Sequence, residues 1–301
     1  MITADETGRA ATQTPLTGRA QRTWFQETLR RFARNRGAVV ALVILVLIAL
    51  ALILARLLAP YSPINPDIAN VAMAPSRAHL LGTDAIGRDI LSRILYGGRL
   101  TVVVGLLAIA IAGGVGLPIG MIAGFYGGFT DRVISRLMDI MLAFPGILLA
   151  LSVVAVLGSS VVNATIAVGI SLIPGFVRLV RGSYLSTKEN VYVDAARVIG
   201  VGDVRIMVKH ILPNVLAPIM VLATVATGWA IIIGASLSFL GLGVQAPTPE
   251  WGTDLAQGRQ WIETAWWMTT FPGLAILVVI LALNLVGDGL RDALDPRLRN
   301  R

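Results

Sequence analysis

Between Asp139 and Arg178 the chain runs for 38 residues, Ile140–Val177, without one charged side chain. A helix crosses the hydrocarbon core of a bilayer with about 20 apolar residues. The run is therefore too long for one ordinary span and too apolar for a loop in water. Its middle reads Leu157-Gly158-Ser159-Ser160-Val161-Val162-Asn163, a small polar break. That break predicts two antiparallel spans, near 134–157 and 161–181. Four more charge-free runs follow the same logic: Ala38–Ala55, Leu100–Thr130, Ile211–Pro249 (a span near 214–238) and Thr264–Gly287. Six transmembrane helices and an all-α membrane protein result. Only 14% of the residues are charged, against about 25% in soluble domains, so the expected solvent is lipid.

The direction of threading follows from arginine and lysine, which gather on the cytoplasmic side. With both termini inside, nineteen of the 25 basic residues fall on inner segments. Arg56, Arg77, Arg88, Arg93, Arg99 and Arg259 fall outside. The net charge of +8 is thus explained by topology, and nucleic acid is not needed as a partner. The resulting organisation is a cytoplasmic tail over 1–37, a first transmembrane helix over 38–59 and an extracytoplasmic loop over 60–99. A core over 100–288 holds five more spans and a cytoplasmic loop over 182–213, and a cytoplasmic tail covers 289–301. The first run reads as an uncleaved anchor, since no small-residue cleavage site follows it. Residues 1–20 are polar and read as disordered. Trp24, Phe25, Leu29 and Phe32 then share a helical face opposite Arg30, Arg31 and Arg34, the pattern of a helix lying in the interface with membrane lipid.

Within the spans, Gly116, Gly120 and Gly124 form a small-xxx-small stripe that lets a second helix come close. Pro118, Pro145, Pro174 and Pro218 fall inside predicted spans, where each removes a backbone donor. Asp139 is the lone acidic group near a span, placed to pair with an arginine such as Arg136. A proton-coupled carrier generally needs a relay of buried ionisable groups, which this chain lacks. Asn163, Ser171, Ser236 and Asn284 are candidate path-lining groups, equally suited to interhelical hydrogen bonds. Trp251, Trp261, Trp266 and Trp267 suit an aromatic belt at the outer interface.

Several chemistries are closed. There is no cysteine, and His79 and His210 are the only histidines, so neither a thiol nor a histidine-built metal centre is expected. A P-loop needs its lysine after a glycine and before serine or threonine. Lys188 follows Thr187 and Lys209 follows Val208, so no cofactor and no ATP site is expected on this chain. It dissipates a gradient as a passive channel or borrows power from a partner.

The segment Tyr192–Asn214 favours the partner. It reads YVDAARVIGVGDVRIMVKHILPN. Val193, Ala196 and Ile199 give one short helix an apolar face, Gly200 and Gly202 break it, and Asp203 can cap the next. Pro213 ends the pair. A helix–glycine–helix elbow facing the cytosol suits a knob that docks in another protein's groove. An elbow resting on its own bundle suits the pattern equally.

The same segment resembles the EAA loop of ABC importer permeases. Asp194-Ala195-Ala196, Gly200 and His210-Ile211-Leu212-Pro213-Asn214 stand where that motif has Glu-Ala-Ala, glycine and its proline ending, with aspartate in place of glutamate. Leu81-Gly82-Thr83-Asp84-Ala85-Ile86-Gly87-Arg88-Asp89 is similar to the outer segment of the dipeptide, oligopeptide and nickel permeases. Ala143-Phe144-Pro145-Gly146, Ser236–Gly243, Pro247–Gly252 and Gly287–Pro296 are similar too. The likeness leans to the second permease subunit of dipeptide importers and of the glutathione importer. It implies a type I ABC importer permease bundle in the inner membrane that carries peptides, or nickel. It implies a homologous second permease and an extracytoplasmic solute-binding protein. It also implies two ATPase subunits that hold ATP and magnesium and dock on Asp194, Ala195, Ala196, Arg197, Gly200, His210 and Pro213.

Overall fold

A computed structural model of the chain describes residues 24–294. The polar segment expected over 1–20 and the last seven residues lie outside them. Helix α1 spans Trp24–Arg34 and α2 spans Arg36–Ile53. Between them Asn35 caps α2, its side-chain oxygen accepting from the Ala38 N–H at 3.1 Å. Helix α2 is uniformly apolar and buries only Ala38, Ala41 and Leu52. It lies at the edge of the bundle, as a first anchor should.

Helix α3 runs Ile90–Tyr126, starting ten residues before the charge-free run. Asp89 sets the start, its carboxylate accepting from the Ser92 N–H at 2.8 Å. The 37 residues rise roughly 55 Å, longer than a bilayer is thick, so the outer turns stand clear of the lipid. Gly127 ends the helix at φ 65°. Helix α4 (Gly128–Leu142) and helix α5 (Gly146–Leu157) follow. Together they replace the single span expected over 134–157, because they meet at 91°. The cause is local. Pro145 has no N–H to extend α4 and itself leaves the helical region at ψ 134°, and a hydropathy profile does not register this because both sides are apolar.

Helices α6 (Val161–Thr187), α7 (Val191–Val198), α8 (Leu212–Phe239), α9 (Trp251–Gly258) and α10 (Trp267–Leu294) complete the chain. Pro118, Pro174 and Pro218 sit inside unbroken α3, α6 and α8, so Pro145 alone of the four makes a break. Among the described residues five helices are long and apolar enough to cross a membrane, and six spans result if the bent pair is counted as one.

The central seam is α3 against α6. A Cβ on Gly116 would stand 2.7 Å from the Phe176 Cβ. One on Gly120 would stand 2.7 Å from that of Val180, and one on Gly124 2.5 Å from that of Tyr184. The stripe thus does what its spacing predicts. Helix α10 closes on α2 in the same way, with Gly289 against Ala38. Near the α4 end Asp131 accepts from Arg181, and Arg178 donates to Asp139 at 2.9 Å. The partner of Asp139 is therefore not Arg136 but an arginine 39 positions away.

Candidate functional site

Helix α7, at the end of the bundle read as cytoplasmic from the sequence, is followed by Gly200 at φ 80°, the left-handed conformation that glycine takes without strain. The expected elbow is present. Of the two arrangements the pattern allows, its Val193–Ala196 face rests on the bundle of its own chain. Val193 and Ala196 are buried in a cluster with Phe125, Tyr184, Ile206, Met207 and Ile211 of their own chain. A short helix gains most by laying its smallest apolar face on the bundle, so these side chains are its root. Its exposed residues are Val191, Tyr192, Asp194, Ala195, Arg197, Val198 and Ile199. Val198 and Ile199 are 87% and 78% exposed.

The root is firm. The buried Tyr184 hydroxyl donates to the Met207 carbonyl at 3.0 Å. Arg197 lies over the Phe125 ring at 5.5 Å, a cation–π contact. The Lys188 ammonium donates to the Gly124 carbonyl at 3.0 Å, capping the end of α3 where cations are favoured. Beyond Gly200, Asp203–Arg205 and a wide turn over Ile206–Ile211 lead directly into α8. The His210 carbonyl accepts from the Asn214 amide at 2.7 Å. Pro213 sits in the first turn of α8, where a missing N–H costs nothing, so it begins the span and does not halt it.

The four path-lining candidates do not converge. The Ser171 hydroxyl donates to the Val168 carbonyl and Ser236 to that of Ile232, both at 2.7 Å. The Asn163 amide donates to the Leu157 and Gly158 carbonyls at 2.8 and 3.0 Å, tying the outer turn between α5 and α6. Asn284 faces the backbone of Gly228 on α8.

The outer face carries an arrangement that sequence reasoning missed. Residues 60–89 and 240–266 interlock over the top of α3 into a cap. The Asp84 carboxylate accepts from the Arg88 N–H at 2.9 Å and from its Nε at 2.6 Å. Arg88 reaches on to the Gln257 side chain at 2.7 Å. Arg93 Nε donates to Asp254 Oδ1 at 2.9 Å, and its Nη1 to the Pro63 carbonyl at 2.8 Å. Glu250 caps α9 by accepting from the Thr253 N–H at 2.8 Å. It also accepts from Thr101 of α3 at 3.0 Å. Two of the expected belt tryptophans belong here. Trp251 and Trp267 are buried and donate to the Ile94 and Thr83 carbonyls at 3.0 and 3.1 Å. Trp266 remains exposed. Asp254 Oδ2 has no hydrogen-bond partner, and burial pushes this carboxyl up to about 6, against the pull of Arg93.

The chain thus joins a glycine-sealed helix seam to a hydrogen-bonded cap at one end and an elbow at the other. Residues 116–300 match the family described as the binding-protein-dependent transport system inner membrane component. The chain belongs to that family. Residues 23–75 match the N-terminal transmembrane domain of oligopeptide transport permease C. The permease is 47% identical, over 92% of its length and 91% of the other's, to the dipeptide transport system permease protein DppC of Alkalihalophilus pseudofirmus. It is 46% identical, over 96% and 97%, to the glutathione transport system permease protein GsiD of Pectobacterium atrosepticum. In fold it is similar to a chain of the MetNI methionine ABC transporter in an inward-facing conformation. The TM-score is 0.57 at 17% identity, over 68% of this chain and 98% of that one. The permease is thus an inner-membrane ABC importer subunit of the type I bundle. Its family is one of transport subunits and not of enzymes.

Proposed function

We propose that this permease carries short peptides, glutathione among them, and that ATPase subunits drive it through the exposed face of α7. The observation that carries the driving role is the pair Val198 and Ile199, aliphatic and open on a helix whose opposite face is locked to α3 and α6. Docking energy concentrates in a few well-packed apolar contacts, and these two side chains with Ala195 supply them. Asp194 and Arg197, 3.4 Å apart, give the rim its charges. A push on α7 reaches Phe125, Tyr184 and Lys188 at once, and so the inner ends of α3 and α6 together. ATP reverses the bundle only as far as the ATPase pair binds one arrangement better than the other. The outer cap is the landing surface for a solute-binding protein, and a second, homologous permease supplies the other half of the path. The peptide assignment is supported by relatives that align along nearly their whole length and are peptide and glutathione permeases.

The test is a pull-down of ATPase subunits from membranes, with uptake of a labelled dipeptide measured alongside. Val198→Asp with Ile199→Asp should lose both while membrane abundance holds. Ala196→Glu should instead lower abundance, because that side chain is buried. Full ATPase recovery and uptake in the double variant would remove α7 from the coupling role. Dipeptide uptake that neither tripeptides nor glutathione compete for would remove the broad peptide assignment.

A further inference from the structure

Between the elbow and α8 the backbone widens. Over Ile206–Ile211 it forms a π-helical turn, whose hydrogen bonds close over five residues instead of four. The Leu212 N–H accordingly donates to the Met207 carbonyl. The same carbonyl accepts from the buried Tyr184 hydroxyl of α6, at 3.0 Å. Two local features favour the wide turn. A hydroxyl on the Met207 carbonyl competes with the Ile211 N–H, which an α-helix would bring to it. Pro213 has no N–H to offer the Lys209 carbonyl four residues back, so the α-helical ladder gains one bond fewer here than elsewhere.

The width decides which side chains are buried. Ile206 and Ile211 are both fully buried, in one cluster with Met207, Phe125 and Tyr184. In an α-helix, positions five apart point about 140° away from each other, so both cannot meet one surface. In a π turn they stand one above the other. Val204 and Val208 are 68% and 46% exposed. These are the residues that an α-helical register would lay beside Met207 and Ile211, with Ile206 turned out. The segment therefore carries two apolar rows, one for each register.

We infer, on the reading that α7 is the driven element, that this segment has two registers and that Tyr184 is the positioning residue selecting between them. While its hydroxyl holds the Met207 carbonyl, Ile206 is in and Val204 is out. Release of the hydroxyl lets Val204 replace Ile206, which changes how the elbow is joined to α8. Tyr184 belongs to the α3–α6 seam, so the state of the seam and the attachment of the elbow are tied by one hydrogen bond.

Single cysteines at Ile206 and Val204 report the register through their alkylation rates in the full chain in membranes. Tyr184→Phe keeps the ring in its cluster and removes only the hydroxyl. It should speed alkylation of Ile206→Cys about fivefold, the factor that one hydrogen bond supplies, without speeding that of Val204→Cys. Pro213→Ala, which returns the missing N–H to the ladder, should act in the same direction. An unchanged rate at 206 would overturn the inference. So would equal acceleration at both cysteines, the mark of general loosening. Dipeptide uptake should fall severalfold in Tyr184→Phe, and uptake equal to wild type would remove the positioning role. The alkylation rates are read without ATPase subunits, so they stand or fall apart from docking on α7.

Discussion

Gly120 shows how much one absent methyl group decides. Its would-be Cβ meets the Val180 Cβ at 2.7 Å and the Val177 carbonyl at 2.9 Å, so α3 and α6 touch backbone to side chain. Gly120→Leu should lower the thermal midpoint in detergent and the membrane abundance, by at least the 1–3 kcal/mol typical of overpacking. Gly114→Ala, with nothing within 4 Å of the new atom, is the neutral comparison. Asp254 offers a test in pH. Its folded value of about 6 stands above its ordinary 3.8, so the neutral acid is the form the cap favours. Stability from this group is complete below about 4 and is lost as pH rises through about 6. Asp254→Asn should flatten that window in a melting series, and an unchanged slope would assign the titration elsewhere. The glycine stripe was legible in the sequence because a repeat of four is local and needs no partner to be seen. The Arg93–Asp254 pair was not, because 161 positions separate its members and nothing in either neighbourhood points to the other.

At the scale of elements, α7 was half legible. Its helix, its length and the positive φ at Gly200 follow from propensity and from the Gly-x-Gly break. Which surface its Val193–Ala196 face meets does not, because small apolar side chains suit the bundle and a partner's groove alike. The packing of Tyr184 and Phe125 selects it. Gly200 has open space around its Cα, so a side chain there is resisted by backbone conformation alone. Gly200→Val should therefore leave insertion intact while lowering dipeptide uptake severalfold, and Gly200→Ala should be milder. Equal uptake in the valine variant and wild type would show that the elbow transmits nothing. The α4–α5 bend was hidden for a different reason. Hydropathy averages over a window, and a turn made by Pro145 between two apolar stretches leaves that average unchanged.

For the whole molecule, the threading read from the basic residues is a prediction that labelling can test. Single cysteines placed in this cysteine-free chain at Ser76 or Glu263, both exposed on the outer cap, should react with an impermeant thiol reagent in intact cells. One at Ser186 should not, and labelling at 186 alone would invert the topology. The bend also has a mechanical consequence. The twelve residues of α5 rise roughly 18 Å, well short of a hydrocarbon layer about 30 Å thick. A pair bent by 91° cannot reach as far across the bilayer as one straight helix of the same length. The reach of the pair therefore depends on the angle at Pro145. Reconstituted transport should fall on both sides of an optimum acyl-chain length, and replacing Pro145 by alanine should move that optimum toward longer chains as the elbow straightens.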